Sequence, residues 1–202
     1  MRFTIAIDGP AASGKGTISK RIASYFKFSY LDTGMIYRVI GLKTLTGFEP
    51  LDAVAGLNEN DFSLPNLRSE EVSKAASVVA KNSAVREALL EYQRNFSRRE
   101  GGAVLDGRDI GTVICPGADI KFFVTASEEV RAKRRFKELS LRNNGVVFET
   151  VLADLKSRDQ ADTDRAASPL RMSVDAVLLD TTKLSIDASV ETAIEVISSV
   201  YK

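Results

Sequence analysis

The stretch IAIDGPAASGKGTISKRIA, residues 5–23, passes from an apolar strand-like run into glycines, then a lysine, then a helical repeat. Residues 9–15 match the pattern GxxxxGK, although Gly16 stands where serine or threonine is usual. Backbone N–H groups of such a loop surround an anion, and the following helix directs its positive end at the same place. The stretch therefore predicts a nucleoside triphosphate site made by Gly9, Pro10, Ala11, Ala12, Ser13, Gly14, Lys15, Gly16 and Thr17.

Short apolar runs alternate with amphipathic patterns along the rest of the chain, which is typical of parallel strand–helix–strand units. The predicted strands cover residues 3–7, 28–31, 103–106, 120–125 and 176–180. The predicted helices cover residues 15–26, 35–45, 69–81, 83–99, 127–142, 148–160 and 190–201, with NNG at 143–145 breaking the chain between two of them. Residues 46–66 are rich in Gly, Pro, Asn and Asp and predict a loop-rich insertion. We expect an α/β fold of the P-loop NTPase type, in which helices cover both faces of a five-stranded parallel sheet.

The residue totals exclude several kinds of active site. The 202 residues have a net charge of +1, include one cysteine, Cys115, and contain no histidine. A histidine-dependent triad, a histidine metal site and an internal disulfide framework are therefore excluded. The near-neutral charge gives no sign of a nucleic-acid or membrane partner, so an anionic ligand must be captured by a local cluster of cations.

The start of the chain and its hydropathy predict a cytoplasmic location. Met1 directly precedes the first predicted strand and leaves no room for a secretory leader. No run reaches the roughly 18 apolar residues of a membrane span, and a single cysteine suits a reducing compartment. We expect one domain over residues 1–202, acting as a monomer.

Two classes of protein use a phosphate loop of this kind. A switch or motor hydrolyses the triphosphate to change shape, whereas a transferase passes the phosphoryl group to a second substrate. The Asn-Lys-x-Asp and Asp-x-x-Gly motifs expected of a GTPase are absent from the sequence. A transferase needs a second anion site, and arginine forks hold phosphate oxygens in a fixed plane better than lysines do.

Arginines occur after predicted strands and on predicted helices. Arg38 follows LDTGMIY, and Arg108 lies in DGRDIGT just past the carboxyl end of a strand, where α/β proteins bind ligands. The other candidates are Arg86, then Arg131, Arg134 and Arg135 in VRAKRRFKELSLR, and Arg158, Asp162 and Arg165 in SRDQADTDR. Spacing alone leaves two alternatives open: a solvated helix face for the arginines near 131, and a surface ion pair for Arg158 and Asp162.

Together these motifs resemble the bacterial cytidylate kinases (CMP/dCMP kinases), a family of P-loop nucleoside monophosphate kinases. The matching segments keep the family's order over nearly the whole chain: IAIDGPAASGKGTISKRIA, LDTGMIYR, DGRDIGTVICPGADIKFFVTAS, RAKRR, SRDQADTDRAASPL and LLDTT. The resemblance implies transfer of the γ-phosphoryl group of ATP to CMP or dCMP, with Mg2+, in pyrimidine nucleotide metabolism. The main alternative is UMP or AMP as acceptor, followed by a P-loop NTPase with a regulatory role.

The resemblance also implies a role for each matching residue. The transferring phosphoryl group would be contacted by Lys15, Arg131, Arg134 and Arg135. The acceptor phosphate would be held by Arg38, Arg108 and Arg165, with Thr33 beside it. The acceptor sugar would be contacted by Arg158 and Asp162, and the cytosine by Ser77, Arg86 and Asp109. No side chain would bind Mg2+ directly, while two would do so through water: Thr17 and Asp106.

The same resemblance divides the single kinase domain into parts. An acceptor-binding insertion would cover about residues 47–100, and a lid of about residues 131–168 would close over ATP. The expected reaction is a direct in-line transfer, because the acceptor phosphate is itself the nucleophile and the sequence offers no other candidate.

Overall fold

The computed structural model describes residues 2–141 and 145–201, which form an all-parallel five-stranded sheet between helices. The strands lie in the spatial order β2-β3-β1-β4-β5 and are β1 (Thr4–Asp8), β2 (Ser29–Asp32), β3 (Ala103–Gly107), β4 (Ile120–Thr125) and β5 (Val177–Asp180). The helices are α1 (Lys15–Phe26), α2 (Thr33–Leu45), α3 (Pro50–Ala55), α4 (Glu70–Val79), α5 (Ser83–Ser97), α6 (Glu128–Ser140), α7 (Phe148–Asp164) and α8 (Ile186–Val200). A 3-10 turn covers Glu59–Ser63, and a π-helical turn covers Ile110–Ile114. The predicted fold class is confirmed.

Successive side chains of the central strands enter two different apolar cores. Ile5 and Ile7 of β1 join the core that α1 and α8 cover, whereas Ala6 joins the core that α2, α4 and α5 cover. Val104 and Leu105 of β3 are divided between the same two cores. Because a strand alternates its side chains with a period of two, a strand that is apolar throughout needs helices on both faces of the sheet.

The carboxyl ends of the strands bring acidic residues to one edge of the sheet. In the register of the pairs, Asp32 lies opposite Asp106, and Asp8 lies opposite Gly107. The chain leaves β1 for β2 on one side of it, while β4 pairs with the other side. Ligands of parallel sheets bind where the strand order reverses in this way, so the glycine loop after β1 lies at the expected place.

The prediction of a loop-rich segment at 46–66 is wrong for the residues of α3 and the 3-10 turn. Pro50 stands at the start of α3, where its missing N–H costs nothing. Asn58 and Asp61 close the 3-10 turn with a capping box. Elements this short contain too few apolar positions for their period to be recognised in the sequence.

Several helices have bounds that differ from the predicted ones. α4 ends at Val79 and α5 at Ser97, before the predicted ends at residues 81 and 99, and α2, α7 and α8 differ as well. α2 begins at Thr33, because the Asp32 side chain accepts the N–H of Met35 at 3.2 Å. α8 begins at Ile186, after a serine cap, and α7 continues to Asp164. The predicted helix end at residue 142 and the first two residues of the predicted break, 143 and 144, lie outside the described residues. Within the described chain, every helix is too short or too polar to cross a bilayer.

Candidate active site

The glycine loop between β1 and α1 adopts a backbone that few residues favour. Gly9, Ala12 and Gly14 have φ values of 148°, 57° and 94°. Gly14 is the N-cap of α1, and no side chain of the described residues caps this helix. The first N–H groups of α1 therefore lack a side-chain acceptor and, with the positive end of the helix, form a site for an anion.

Side chains from α6 and from the segment after β5 bind the outer surface of this loop. Arg131 Nη1 donates to the Ala11 carbonyl oxygen at 3.2 Å, and Arg134 Nη1 donates to that of Ser13 at 3.3 Å. Thr181 Oγ1 also donates to the Ser13 carbonyl, at 3.0 Å. Because the C=O and N–H of a trans peptide point in opposite directions, these contacts turn the next N–H groups away from α6.

Gly9→Ala should lower the free energy of unfolding by about 3 kcal/mol. A Cβ at Gly9 would overlap the carbonyl oxygen of Val124, and the φ of 148° disfavours alanine. Gly101→Ala is the matched control, because φ is 84° there but no atom of the described residues lies within 4 Å of an added Cβ. That control should cost about 1 kcal/mol. Urea unfolding compares the two variants, and equal losses would contradict the packing argument.

Lys15 is buried at the start of α1 beside the carboxylate of Asp106. The distance from its Nζ to Asp106 Oδ1 is 4.0 Å. Burial, followed by the nearby Arg108, lowers the pKa of Lys15 to about 8. The Tyr30 hydroxyl donates to Asp106 Oδ2 at 2.7 Å and orients this carboxylate. The lysine thus remains charged at neutral pH, although its surroundings disfavour the charge until an anion binds.

Several arginines from separate elements crowd together at this edge of the sheet. Arg108 Nε donates to Asp162 Oδ2 at 2.7 Å, and the buried Nε of Arg158 has no hydrogen-bond partner among the described residues. Burial, followed by Arg108, lowers the pKa of Arg158 to about 10. Burial, followed by Arg158 and then Arg135, lowers the pKa of Arg38 to about 10. Asp162 instead raises the pKa of Arg108, against the effect of burial. Buried cations that lie close together are stabilised when an anion joins them, which indicates a second anion site.

A cavity of about 310 Å³ is lined by Tyr37 of α2, by Arg86 and other residues of α5, by Asp109 and the turn that follows β3, and by residues 167–168 after α7. Arg86 forms an ion pair with Asp109 Oδ2, and its guanidinium carbon lies 5.7 Å from the centre of the Tyr37 ring. Arg165 Nη2 lies 3.4 Å from Asp109 Oδ1. An aromatic ring, a guanidinium and a carboxylate around one cavity can bind a planar base that carries both donors and acceptors.

Other predicted site residues form hydrogen bonds with neighbouring residues of the protein. Thr33 Oγ1 donates to the Asp106 carbonyl oxygen at 2.8 Å. Arg38 Nη1 donates to Ser73 Oγ at 2.7 Å, and Ser77 Oγ donates to the Ser73 carbonyl oxygen at 3.0 Å. Ser77 is not among the residues that line the 310 Å³ cavity.

The structure rejects both of the non-functional alternatives that spacing left open, the solvated helix face and the surface ion pair. Arg131 is only 5% exposed, so the arginines of α6 are not one solvated face. Arg135 does pair with Glu138 on its own helix, at 2.8 Å. Asp162 pairs with Arg108 from a different element, rather than forming only a surface pair with Arg158.

Two aspartates of this site were not predicted from the sequence. Asp8 accepts the N–H groups of Ile110 and Gly111 at 2.8 and 2.7 Å, and burial raises its pKa to about 6. It thereby ties the end of β1 to the turn after β3. Asp159 forms an ion pair with Arg131. A charged residue directly before Gly9, at the end of a buried strand, was the available signal for Asp8.

The geometry therefore combines an amide-lined loop, a buried lysine, a set of crowded arginines and a half-polar cavity. Such a site can hold two anionic ligands close to each other and can place cations around a group that moves between them.

Comparison with known proteins gives matches over nearly the full length of the chain. The family model described as cytidylate kinase matches residues 5–199. The cytidylate kinase of Cereibacter sphaeroides is 56% identical over 197 residues, which are 98% of this chain and 96% of that protein. The cytidylate kinase of Azorhizobium caulinodans is 50% identical over 96% of this chain and 97% of its own length.

Solved structures with low sequence identity share the fold. An uncharacterized protein from Eubacterium ventriosum superposes with a TM-score of 0.62 at 16% identity, over 98% of this chain and 99% of that one. A gluconokinase from Sinorhizobium meliloti has a TM-score of 0.52 at 17% identity, over 98% and 94% of the two chains. On the family match and the identity to curated relatives, this chain belongs to the cytidylate kinase family.

Proposed function

We propose a role for each site residue of this chain in the cytidylate kinase reaction. The enzyme transfers the γ-phosphoryl group of ATP to CMP or dCMP, and the products are ADP with CDP or dCDP. The observation that carries the assignment of residues is the convergence of two anion sites at one edge of the sheet. Lys15 belongs to the first site, and its pKa is lowered first by burial and then by Arg108 of the second site.

ATP is proposed to bind the glycine loop through its phosphates. The N–H groups of residues 9–17 surround them, and Lys15 neutralises charge on the γ-phosphoryl group. Arg131 and Arg134 contribute from outside by holding the carbonyls of Ala11 and Ser13. Arg135 belongs with them to a lid of about residues 131–168, which excludes water during transfer.

The acceptor phosphate is proposed to bind the crowded arginines. Arg38, Arg108 and Arg165 hold its oxygens, with Thr33 beside them. Arg158, whose buried Nε has no partner in the described structure, contacts the sugar together with Asp162. Binding would exchange the ion pair between Arg108 and Asp162 for contacts with the nucleotide.

The cytosine is proposed to bind in an insertion of about residues 47–100, against the 310 Å³ cavity. Asp109 accepts a hydrogen bond from the cytosine amino group, and Arg86 donates to a ring acceptor. Ser77 completes this set if α4 moves toward the cavity. A uracil would place a carbonyl oxygen opposite the Asp109 carboxylate, and this repulsion selects cytosine.

The residues present fit a hydrated Mg2+ ion. Magnesium sites of this kind use one or two carboxylates together with substrate phosphates and waters. Asp106 provides a buried carboxylate beside Lys15, and an added Cβ at Gly16 would lie 3.4 Å from its Oδ2. Thr17 is exposed on the same turn of α1. Bound there, the ion would offset negative charge on the phosphates of ATP.

A coupled assay of ADP release tests the function. Wild-type protein is mixed with ATP, Mg2+ and one of CMP, dCMP, UMP, AMP or GMP. We expect rapid release with CMP and dCMP only. Release with UMP or AMP alone would favour the other acceptor class, and equal release without any acceptor would reject the transferase. The cytoplasmic location and the monomeric state stay predictions.

The pH profile should report the titration of Lys15. Its pKa is lowered to about 8, so the charged form prevails below that pH and is lost above it. We expect kcat/KM for ATP at saturating CMP to be flat near pH 7 and to fall about tenfold per pH unit above roughly 8.5. The Lys15→Arg variant keeps its charge, so its residual activity should lack this limb. The same limb in that variant would assign the titration to another group.

A further inference from the structure

One guanidinium, that of Arg131, connects three parts of the chain. Its Nε donates to the Ala126 carbonyl oxygen at 2.8 Å, at the end of β4. Its Nη1 donates to the Ala11 carbonyl oxygen at 3.2 Å and also forms an ion pair with Asp159 of α7. The side chain is 6% exposed, so this ion pair is sheltered from solvent screening.

The partner carboxylate lies on the helix that carries the acceptor residues. Asp159 follows Arg158 directly, and Asp162 one turn later pairs with Arg108. The second oxygen of Asp159, Oδ1, is buried and has no hydrogen-bond partner among the described residues. Arg131 is the one residue of the described chain that forms an ion pair with Asp159, although the charges of Arg108 and Arg158 also act on this carboxylate. The position of Asp159 therefore depends mainly on Arg131.

We propose that Asp159 is a positioning residue that couples the binding of the two nucleotides. This inference rests on the proposed function. Asp159 holds Arg131, and Arg131 holds the Ala11 carbonyl of the loop that binds ATP. The order imposed on the loop by ATP therefore passes to α7, and the order imposed on α7 by CMP passes to the loop. Whichever nucleotide binds second finds its site already arranged and binds more tightly.

The contacts of Arg131 also allow a different role for Asp159, which the experiment has to exclude. If Arg131 contacts the phosphates of ATP directly, Asp159 competes with ATP for the guanidinium. Removing the charge of Asp159 would then tighten ATP binding in the absence of CMP. If Asp159 couples the sites, the same substitution leaves ATP binding alone nearly unchanged and removes the gain that CMP provides.

Calorimetric titration of a non-hydrolysable ATP analogue measures the coupling, with and without saturating CMP. The ratio of the two dissociation constants should lie within about 5–150-fold for the wild-type protein. We expect it to fall to within about twofold of unity for Asp159→Asn. Glu129→Gln is the control, because its ion pair with Lys133 on α6 is exposed, and it should keep the wild-type ratio.

Stability is followed in the same samples by thermal melting. If Asp159→Asn lowers the melting temperature, Asp159→Glu becomes the deciding variant, and its retained charge should restore at least half of the coupling in free-energy terms. The inference is overturned if the ratio of dissociation constants is one in the wild-type protein or is unchanged in Asp159→Asn. It is also overturned if Asp159→Asn binds the analogue more tightly without CMP, or if Asp159→Glu recovers none of the coupling. The proposed function is judged separately, by the release of ADP from wild-type protein with CMP.

Discussion

Lys15→Met should lower kcat for CMP phosphorylation by about 10³-fold, with a smaller change in KM for ATP. Transfer develops charge on the moving phosphoryl group, and the buried ammonium lies where that charge has to be offset. Methionine matches the length of the lysine stem and suits a buried position. The rate is measured by ADP release at saturating ATP and CMP, and the fold by circular dichroism.

Lys20→Met is the matched control for this prediction. Lys20 lies on α1 with Lys15 but is exposed. The same substitution there should change the rate by less than about twofold, since a surface lysine contributes little to the buried site. A Lys15→Met protein that is folded and retains more than a tenth of the wild-type kcat would refute the role given to the lysine.

Asp109→Asn should lower kcat/KM for CMP by about 10²-fold or more while leaving KM for ATP nearly unchanged. The carboxylate is the acceptor proposed for the cytosine amino group, and an amide that turns its NH₂ inward cannot replace it. The same amide can donate to the carbonyl of uracil, so the ratio of CMP to UMP activity should fall further than CMP activity itself. Steady-state kinetics with both acceptors measure the two effects.

The loss at Asp109 has to be separated from a loss of packing. The carboxylate pairs with Arg86 and Arg165, so its removal leaves two cations together. The melting temperature of Asp109→Asn is therefore recorded beside that of Asp52→Asn, which changes an exposed aspartate at the first turn of α3. Unaltered selectivity between CMP and UMP in a folded Asp109→Asn protein would place the base reader elsewhere.

Much of the fold could be predicted because its signals are local. The apolar runs of β1, β3 and β4 are short and uninterrupted, as expected of strands buried on both faces. The glycine loop follows from a pattern within seven residues, because positive φ values and helix polarity are properties of neighbouring residues. The short helix α3 was not predicted, because six residues are too few to show the periodicity of apolar side chains in a helix.

The contacts within the site could not be predicted in the same way. Arg131 and Arg134 share a helical face in the sequence, but nothing there indicates that they bind the carbonyls of a loop some 120 residues away. Asp159 and Asp162 are near neighbours, yet one pairs with Arg131 and the other with Arg108. The choice of partner depends on how α6, α7 and β3 pack, which spacing along the chain does not encode.

The sequence by itself determined the parallel α/β fold, the glycine loop at the end of β1 and the presence of enough arginines for a second anion site. These features depend on residue type and on short-range periodicity, which act before distant segments meet. Only the tertiary structure decided which cations crowd together, which of them are neutralised by aspartates and which hold the loop from outside. Burial and charge pairing depend on distances between elements, and those distances exist only once the sheet and both helical layers have packed.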